Sequence, residues 1–236
     1  MNAADASTVP DLWPAASLLG RLPPRPRREL LDLGTVVRFA LGQVMLRQGE
    51  PGRAAYLLLH GCVKVLGNEG DREPLLSIRV GGDLVGDMAV LSGKPRSATV
   101  VTCSETVARV IAGDEFRAYL LRFPEASIEI AGMLCERLRW SNERRVDFAT
   151  LDPRPRVARV LLALVETYGN MAEGGWDLGA PLTQEEIASL AGIRLPTAEK
   201  VLRSFAEAGL VRLGYRKIIV VERSVLRGIA LLGNSD

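Results

Sequence analysis

Between about residues 34 and 112, short apolar runs recur every eight to twelve residues, with glycines between them. The runs are VVRFAL (36–41), QVMLRQ (43–48), AAYLLLHG (54–61), CVKVLG (62–67), PLLSIRV (74–80), SATVVT (97–102) and TVARVI (106–111). Many short β-branched segments with glycine turns predict an antiparallel barrel or sandwich. The pattern then becomes helical. Residues 114–122 read as a short helix that opens on acidic residues, and Pro124 stands where the next helix begins, a position that tolerates a missing N–H. From Glu125 to Thr150 no proline interrupts a long helical stretch. Along it Ala131, Leu134, Leu138, Ser141, Arg145 and Phe148 alternate spacings of three and four, a coiled-coil-like seam. Ser141 and Arg145 are polar for such a seam. Either it breaks up towards its C-terminal end, or something polar binds there.

Pro153 and Pro155 mark a boundary, followed by a helix over Arg156–Tyr168 and a glycine loop at Gly169–Gly175. In the segment 181–222, Thr183 and Glu186 form a capping box that satisfies the first free N–H groups of a helix. Ile187 and Leu190 give that helix a buried face, and Ala191-Gly192-Ile193 makes a tight turn. In a second helix Ala198, Val201, Leu202 and Phe205 repeat at i, i+3, i+4 and i+7, and Gly209 ends it. Leu210–Leu213 and Lys217–Val221 are two strands around Gly214-Tyr215. Helix, turn, helix and hairpin in this order predict a winged helix-turn-helix.

Residues 1–28 look like an arm: Pro10, Pro14, Pro23, Pro24 and Pro26 break helices, and Arg21, Arg25, Arg27 and Arg28 keep the segment solvated. Lys+Arg 30 against Asp+Glu 28 leaves the chain at +2, so any basic surface is local. One is visible. Between 194 and 217 stand six cations (Arg194, Lys200, Arg203, Arg212, Arg216, Lys217) against two anions (Glu199, Glu207). The second helix exposes Thr197, Lys200, Arg203 and Ser204 on its outer face. Such a face gains affinity by releasing counterions from DNA phosphates, and helix side chains reach base edges in the major groove.

Three widely spaced cysteines (Cys62, Cys103, Cys135) exclude a disulfide framework and any CxxC-type zinc or redox site. A single His, at a strand end before Gly61, excludes a multi-His metal site and reads as a turn residue. No apolar run spans a membrane, the start lacks the pattern of a signal peptide, and the expected compartment is the cytoplasm. The chain shows no nucleophile–base pair, no metal cluster and no phosphate loop of the GxxxxGK type, so no catalytic residues, no metal and no prosthetic group are assigned.

The second dense signal is GGDLVGDMAVLSGKPRSATVV (81–101). Gly86 lets backbone approach a ligand, and the N–H groups that follow suit an anion. Arg96, nine residues after Asp87, supplies a guanidinium that grips phosphate bidentately. Asp87 beside it accepts ribose hydroxyls. The set fits a small phosphorylated nucleoside; a structural Asp–Arg pair closing a barrel loop is the other interpretation.

These residues resemble the cyclic-AMP receptor protein/Crp–Fnr family of transcription regulators over residues 30–225. The match is carried by Gly86-Asp87-Met88, Pro95-Arg96-Ser97-Ala98-Thr99, the long helix ending near Leu151-Asp152, and Thr183…Gly192…Thr197. The resemblance implies an α+β chain divided into an N-terminal arm (1–28), an antiparallel cyclic-nucleotide-binding β-roll (29–123), a long dimerisation helix (124–152) and a winged helix-turn-helix (153–236). It implies that Gly86 and Asp87, with Met88, meet ribose and phosphate. Arg96 and Ser97 hold the phosphate, and Ser141 and Asn142, with Arg137 one turn before, meet the purine. Gln184, Arg194, Leu195, Thr197, Lys200, Arg203, Arg216 and Lys217 meet DNA. Leu195 and Pro196 stand where the best-known member has base-reading Arg and Glu, so that member's operator is not expected here.

The expected function is a homodimeric, non-enzymatic DNA-binding regulator. It is switched by cyclic AMP (cyclic GMP is the alternative) and partners double-stranded DNA and RNA polymerase, with no membrane. Rival expectations are a regulator with a vestigial or different effector site, and a cyclic-nucleotide module that binds protein rather than DNA.

Overall fold

A computed structural model describes residues 13–68, 70 and 73–231. The chain separates into two compact units: residues 1–65 with 78–133, and residues 66–77 with 134–236.

The first unit has two helices, α1 (Leu18–Arg21) and α2 (Pro24–Asp32), where the prolines had argued for an arm with broken helices. Pro24 sits in the first turn, where no N–H is needed, so it starts a helix instead of breaking one. Leu18, Leu19, Leu22 and Leu30 are buried, which anchors this segment to the core. Pro10 lies outside the described residues.

The strands follow as the apolar runs predict: β1 (Thr35–Phe39), β2 (Val44–Leu46), β3 (Ala54–His60), β4 (Cys62–Leu66) and β5 (Leu75–Val80). After β6 (Leu84–Val85) and a short helix α3 (Asp87–Ser92) come β7 (Thr99–Thr102) and β8 (Thr106–Ala112). They form two four-stranded sheets, ordered β1-β8-β3-β6 and β2-β7-β4-β5. Met45, Leu46, Leu58, Val63, Val85, Val100 and Ala108 interdigitate between them, drawn from strands of both sheets. Strands β2, β3, β4, β6, β7 and β8 supply this layer and Phe39 of β1 packs against it, the two-sheet solution for short amphipathic strands. The sheets therefore hold β6, α3 and the turn before β7 in one place. Helix α4 (Gly113–Arg122) caps the roll through Phe116 and Tyr119, both buried.

Helix α5 (Pro124–Thr150) runs from the first unit into the second. In the second unit, α6 (Pro153–Tyr168) begins on Pro153 at its first turn and buries Val157, Leu161, Leu164 and Val165. The expected glycine loop is a hairpin instead, β9 (Asn170–Ala172) and β10 (Gly175–Asp177). Its strands take their order from pairing: Trp176 lies opposite both Met171 and Val220. Helices α7 (Gln184–Ala191) and α8 (Leu195–Glu207) precede strands β11 (Val211–Gly214) and β12 (Lys217–Val220), which complete a sheet ordered β11-β12-β10-β9. A last helix, α9 (Arg223–Leu231), which the sequence pattern did not show, packs on α6. Among the described residues no helix is long and apolar enough to cross a membrane.

Candidate effector and nucleic-acid sites

In the first unit the structure brings together Gly86, Asp87 and Arg96. Gly86 ends β6 with φ +76°, a left-handed conformation, and caps α3. A Cβ there would sit 2.4 Å from Nη1 of Arg96, so close approach and conformation both demand glycine. Arg96 itself is 7% exposed. Its Nη1 donates to the Gly86 carbonyl (2.8 Å) and its Nη2 to the Ala54 carbonyl (2.7 Å). The backbone around it is pinned as well: Arg96 N–H donates to Glu50 O (2.8 Å) and Gly49 N–H to Arg96 O (2.9 Å). Burial pushes the guanidinium pKa down, while Tyr56, Glu50 and Asp87 pull it back up. A guanidinium carries five N–H donors, so two carbonyl bonds orient it without exhausting it. Asp87, in the first turn of α3, is 5% exposed. Met88 and Ser97 are exposed, and the Ser97 hydroxyl lies 3.9 Å from the Met88 sulfur. The sequence missed Glu50, Tyr56 and the Ala54 carbonyl. They lie 40 to 46 residues from Arg96, and only the sheet pairing delivers them.

Arg137, Ser141 and Asn142 belong to the second unit, on α5. Ser141 and Asn142 are exposed, and Arg137 is half-buried. Asn142 lines a hollow of about 490 Å³ with Leu138, Arg139 and Asp147. Of the expected seam, Ala131, Leu138, Ser141, Arg145 and Phe148 are exposed and Leu134 is half-buried. Ile128, Cys135 and Val146 are exposed as well, and a Cβ at Gly192 would meet the Phe148 ring. Arg144 stacks on Trp140 (4.5 Å to the ring centre), which occupies that indole face. Burial pushes the Arg144 pKa down to about 10.

The helix-turn-helix is built as its caps predict. Thr183 Oγ1 accepts from Glu186 N–H (3.2 Å), and a Glu186 carboxylate oxygen accepts from Thr183 N–H (2.8 Å). Gly192 closes α7 with φ +63°, and a Cβ there would meet Phe148 at 2.5 Å. Ala198, Leu202 and Phe205 are buried on one side of α8. On the other side Lys200 and Arg203 are exposed, with Arg194 at the N-cap, while Leu195 and Thr197 are half-buried. Gln184 and Arg216 line one groove of about 220 Å³ with Tyr215. Arg216 takes a left-handed φ of +50° in the β11–β12 turn, and Lys217 is exposed. Arg212 is exposed, and its guanidinium donates to the Glu173 carbonyl in the β9–β10 turn. Arg154, which the sequence had not marked, takes a place beside α8: its guanidinium reaches the Ser204 hydroxyl (3.4 Å).

Comparison with known proteins matches both units. Residues 36–123 fit the cyclic nucleotide-binding domain, and residues 155–229 fit the Crp-like helix-turn-helix domain. The chain is 33% identical over 185 residues to the CRP-like cAMP-activated global transcriptional regulator of Mycobacterium tuberculosis, covering 78% of this chain and 83% of that one. It is 32% identical over 193 residues to the cyclic AMP receptor protein of Thermus thermophilus, covering 80% and 85%. The crystal structure of the Thermus thermophilus catabolite activator protein superimposes with a TM-score of 0.52 at 29% identity, covering 90% of this chain and 97% of that one. A nucleotide-type β-roll, a capped helix-turn-helix with its basic face outward, and this degree of identity across both agree: the chain belongs to the Crp/Fnr family of DNA-binding transcription regulators, which are not enzymes.

Proposed function

We propose that the chain is a homodimeric regulator whose affinity for double-stranded DNA is set by cyclic AMP held in the β-roll. The observation that carries this reading is the Arg96 guanidinium, fixed beside left-handed Gly86 at the start of α3 with buried Asp87 next to it. A cation held in place before its ligand arrives loses little freedom on binding. In this reading Arg96 and Ser97 take the cyclic phosphate, Asp87 and the backbone near Gly86–Met88 take ribose and phosphate, and Arg137, Ser141 and Asn142 take the purine. The names of two relatives, one cAMP-activated and one a cyclic AMP receptor, support that choice.

The outward stripe Ile128, Cys135, Leu138 and Val146 is the surface on which a second copy packs. A dimer would set two α8 helices about 34 Å apart, one turn of DNA. Gln184, Arg194, Leu195, Thr197, Lys200, Arg203, Arg216 and Lys217 then meet the duplex, and the bound dimer acts on RNA polymerase in the cytoplasm. Nucleotide drives the switch only through its different affinity for the two arrangements of the dimer.

One observation favours a second reading. Both terminal nitrogens of Arg96 already donate to backbone carbonyls, the bonding expected of a structural arginine. A roll with such an arginine is a sensor of something else, or none. Calorimetry separates the two. The first reading expects cyclic AMP to bind the wild type, with cyclic GMP weaker, and Arg96→Ala to weaken it by roughly 10- to 100-fold. No heat from either nucleotide, together with equal gel-shift affinity in its presence and absence, would overturn it.

A further inference from the structure

The sequence scatters three cysteines, with no disulfide framework and no CxxC-type spacing. The fold nonetheless brings two of them together. Cys62 opens β4, and Cys103 follows the last residue of β7, its neighbour in the sheet. The Cys103 N–H donates to the Cys62 carbonyl at 2.8 Å, and the two sulfurs lie 2.7 Å apart. Both residues are buried, 5% and 4% exposed. Their backbones are held from the flank. Ser104 Oγ accepts from Cys62 N–H (2.9 Å), and Thr106 Oγ1 donates to Cys62 O (3.4 Å). The end of the β4–β7 pairing therefore holds the two backbones side by side, with each sulfur in reach of the other. Reacting atoms held within about 3.5 Å need little further ordering to react.

We propose that Cys62 and Cys103 form a reversible oxidation site, a dithiol that a peroxide converts to a disulfide inside the β-roll. One sulfur, as thiolate, attacks a peroxide oxygen. The O–O bond breaks, giving a sulfenic acid, and the departing hydroxide takes up a proton to leave as water. The second sulfur attacks the sulfenic sulfur; the S–S bond forms, the S–O bond breaks, and the departing hydroxide takes the second thiol proton. The dithiol gives up two electrons, and the peroxide leaves as two waters. Access to the buried pair comes from fraying at the strand ends, beside the β3–β4 turn. The bond would close a loop running from Cys62 to Cys103 that contains the whole Gly86–Ser97 segment. It lies at the end of β7 opposite Arg96, so it constrains the segment without occupying the effector site. The third cysteine, Cys135, is exposed on α5 and plays no part in this pair.

The test uses the full chain with Cys135→Ser, reduced and then treated with hydrogen peroxide while folded. After denaturation, both remaining thiols are expected to be lost to titration. The intact mass should fall by two hydrogens, and a single linked peptide should join Cys62 to Cys103, releasing on treatment with dithiothreitol. Adding Cys62→Ala or Cys103→Ala should abolish the link. If either variant fails to fold, the mass and peptide map of the Cys135→Ser chain decide alone. Two thiols still titratable, or a mass that gains oxygen with no linked peptide, would overturn the proposal.

Discussion

Arg96 and Arg203 are the same residue under opposite physical terms. Arg96 is withdrawn from water, bonded to two carbonyls and surrounded by Glu50, Asp87 and Tyr56. Arg203 stands in solvent on the outer face of α8. A buried guanidinium without acceptors costs several kcal/mol, so Arg96 exists only because the roll supplies fixed partners. An exposed guanidinium has no such cost and no fixed orientation. The first arrangement selects by shape and position, and the second by charge. In the proposed reading a ligand at Arg96 would have to match preset geometry, whereas phosphates would reach Lys200 and Arg203 by displacing counterions. The region built for selectivity is therefore the one most sensitive to small structural changes, and the region built for charge is the one most sensitive to salt.

The largest expected effect probes the rigid side. Gly86→Ala forces a Cβ into a left-handed residue and against Nη1 of Arg96. It should destabilise the first unit by about 2–3 kcal/mol, read as a lowered urea midpoint, and abolish nucleotide binding. A wild-type midpoint would show that Arg96 is not held as tightly as the comparison requires.

Next comes the charged side. Lys200→Ala and Arg203→Ala should each weaken DNA binding by roughly tenfold, and each should reduce the slope of affinity against salt by about 1. Nucleotide binding should be unchanged. A loss that does not depend on salt would mean that these residues act by fixed geometry after all.

Thr183→Ala removes the hydroxyl of the capping box and should cost the second unit about 1 kcal/mol. Thermal unfolding followed by circular dichroism checks it, and the first unit should melt as before.

The smallest effect at neutral pH is expected from Tyr119→Phe, about 0.5 kcal/mol. The Tyr119 hydroxyl donates to the Pro26 carbonyl at 3.0 Å. Burial pushes its pKa up, with Glu125 and Glu29 adding to the effect. The folded state therefore keeps its proton where the unfolded chain loses it. The stabilisation is complete below about pH 10, the value for a free tyrosine, and is lost as pH rises beyond it. Alkaline denaturation should be shallower in the variant, and equal slopes would sink the assignment.

Strand runs such as AAYLLLH and TVARVIA were legible because each carries enough apolar and β-branched residues to declare itself. The Thr183–Glu186 box was legible because a cap is a local hydrogen-bond pattern. Strand β6 was not, since two residues become a strand only when Tyr56 and Leu57 pair with Val85 and Leu84. Helix α2 was hidden by a rule that is right for helix interiors and wrong for first turns.

The sequence by itself determined the order of the main strands and helices, the basic character of residues 194–217 and the positions of Gly86, Asp87 and Arg96. These depend on periodicity, caps and residue type, which act over a few neighbours. Only the tertiary structure decided that Arg96 turns inward onto Ala54 and Gly86, that Arg212 bonds the Glu173 carbonyl, and that Cys62 meets Cys103. Each of those joins residues far apart in the chain, and a buried donor or thiol takes its partner from whatever the folded sheets bring beside it.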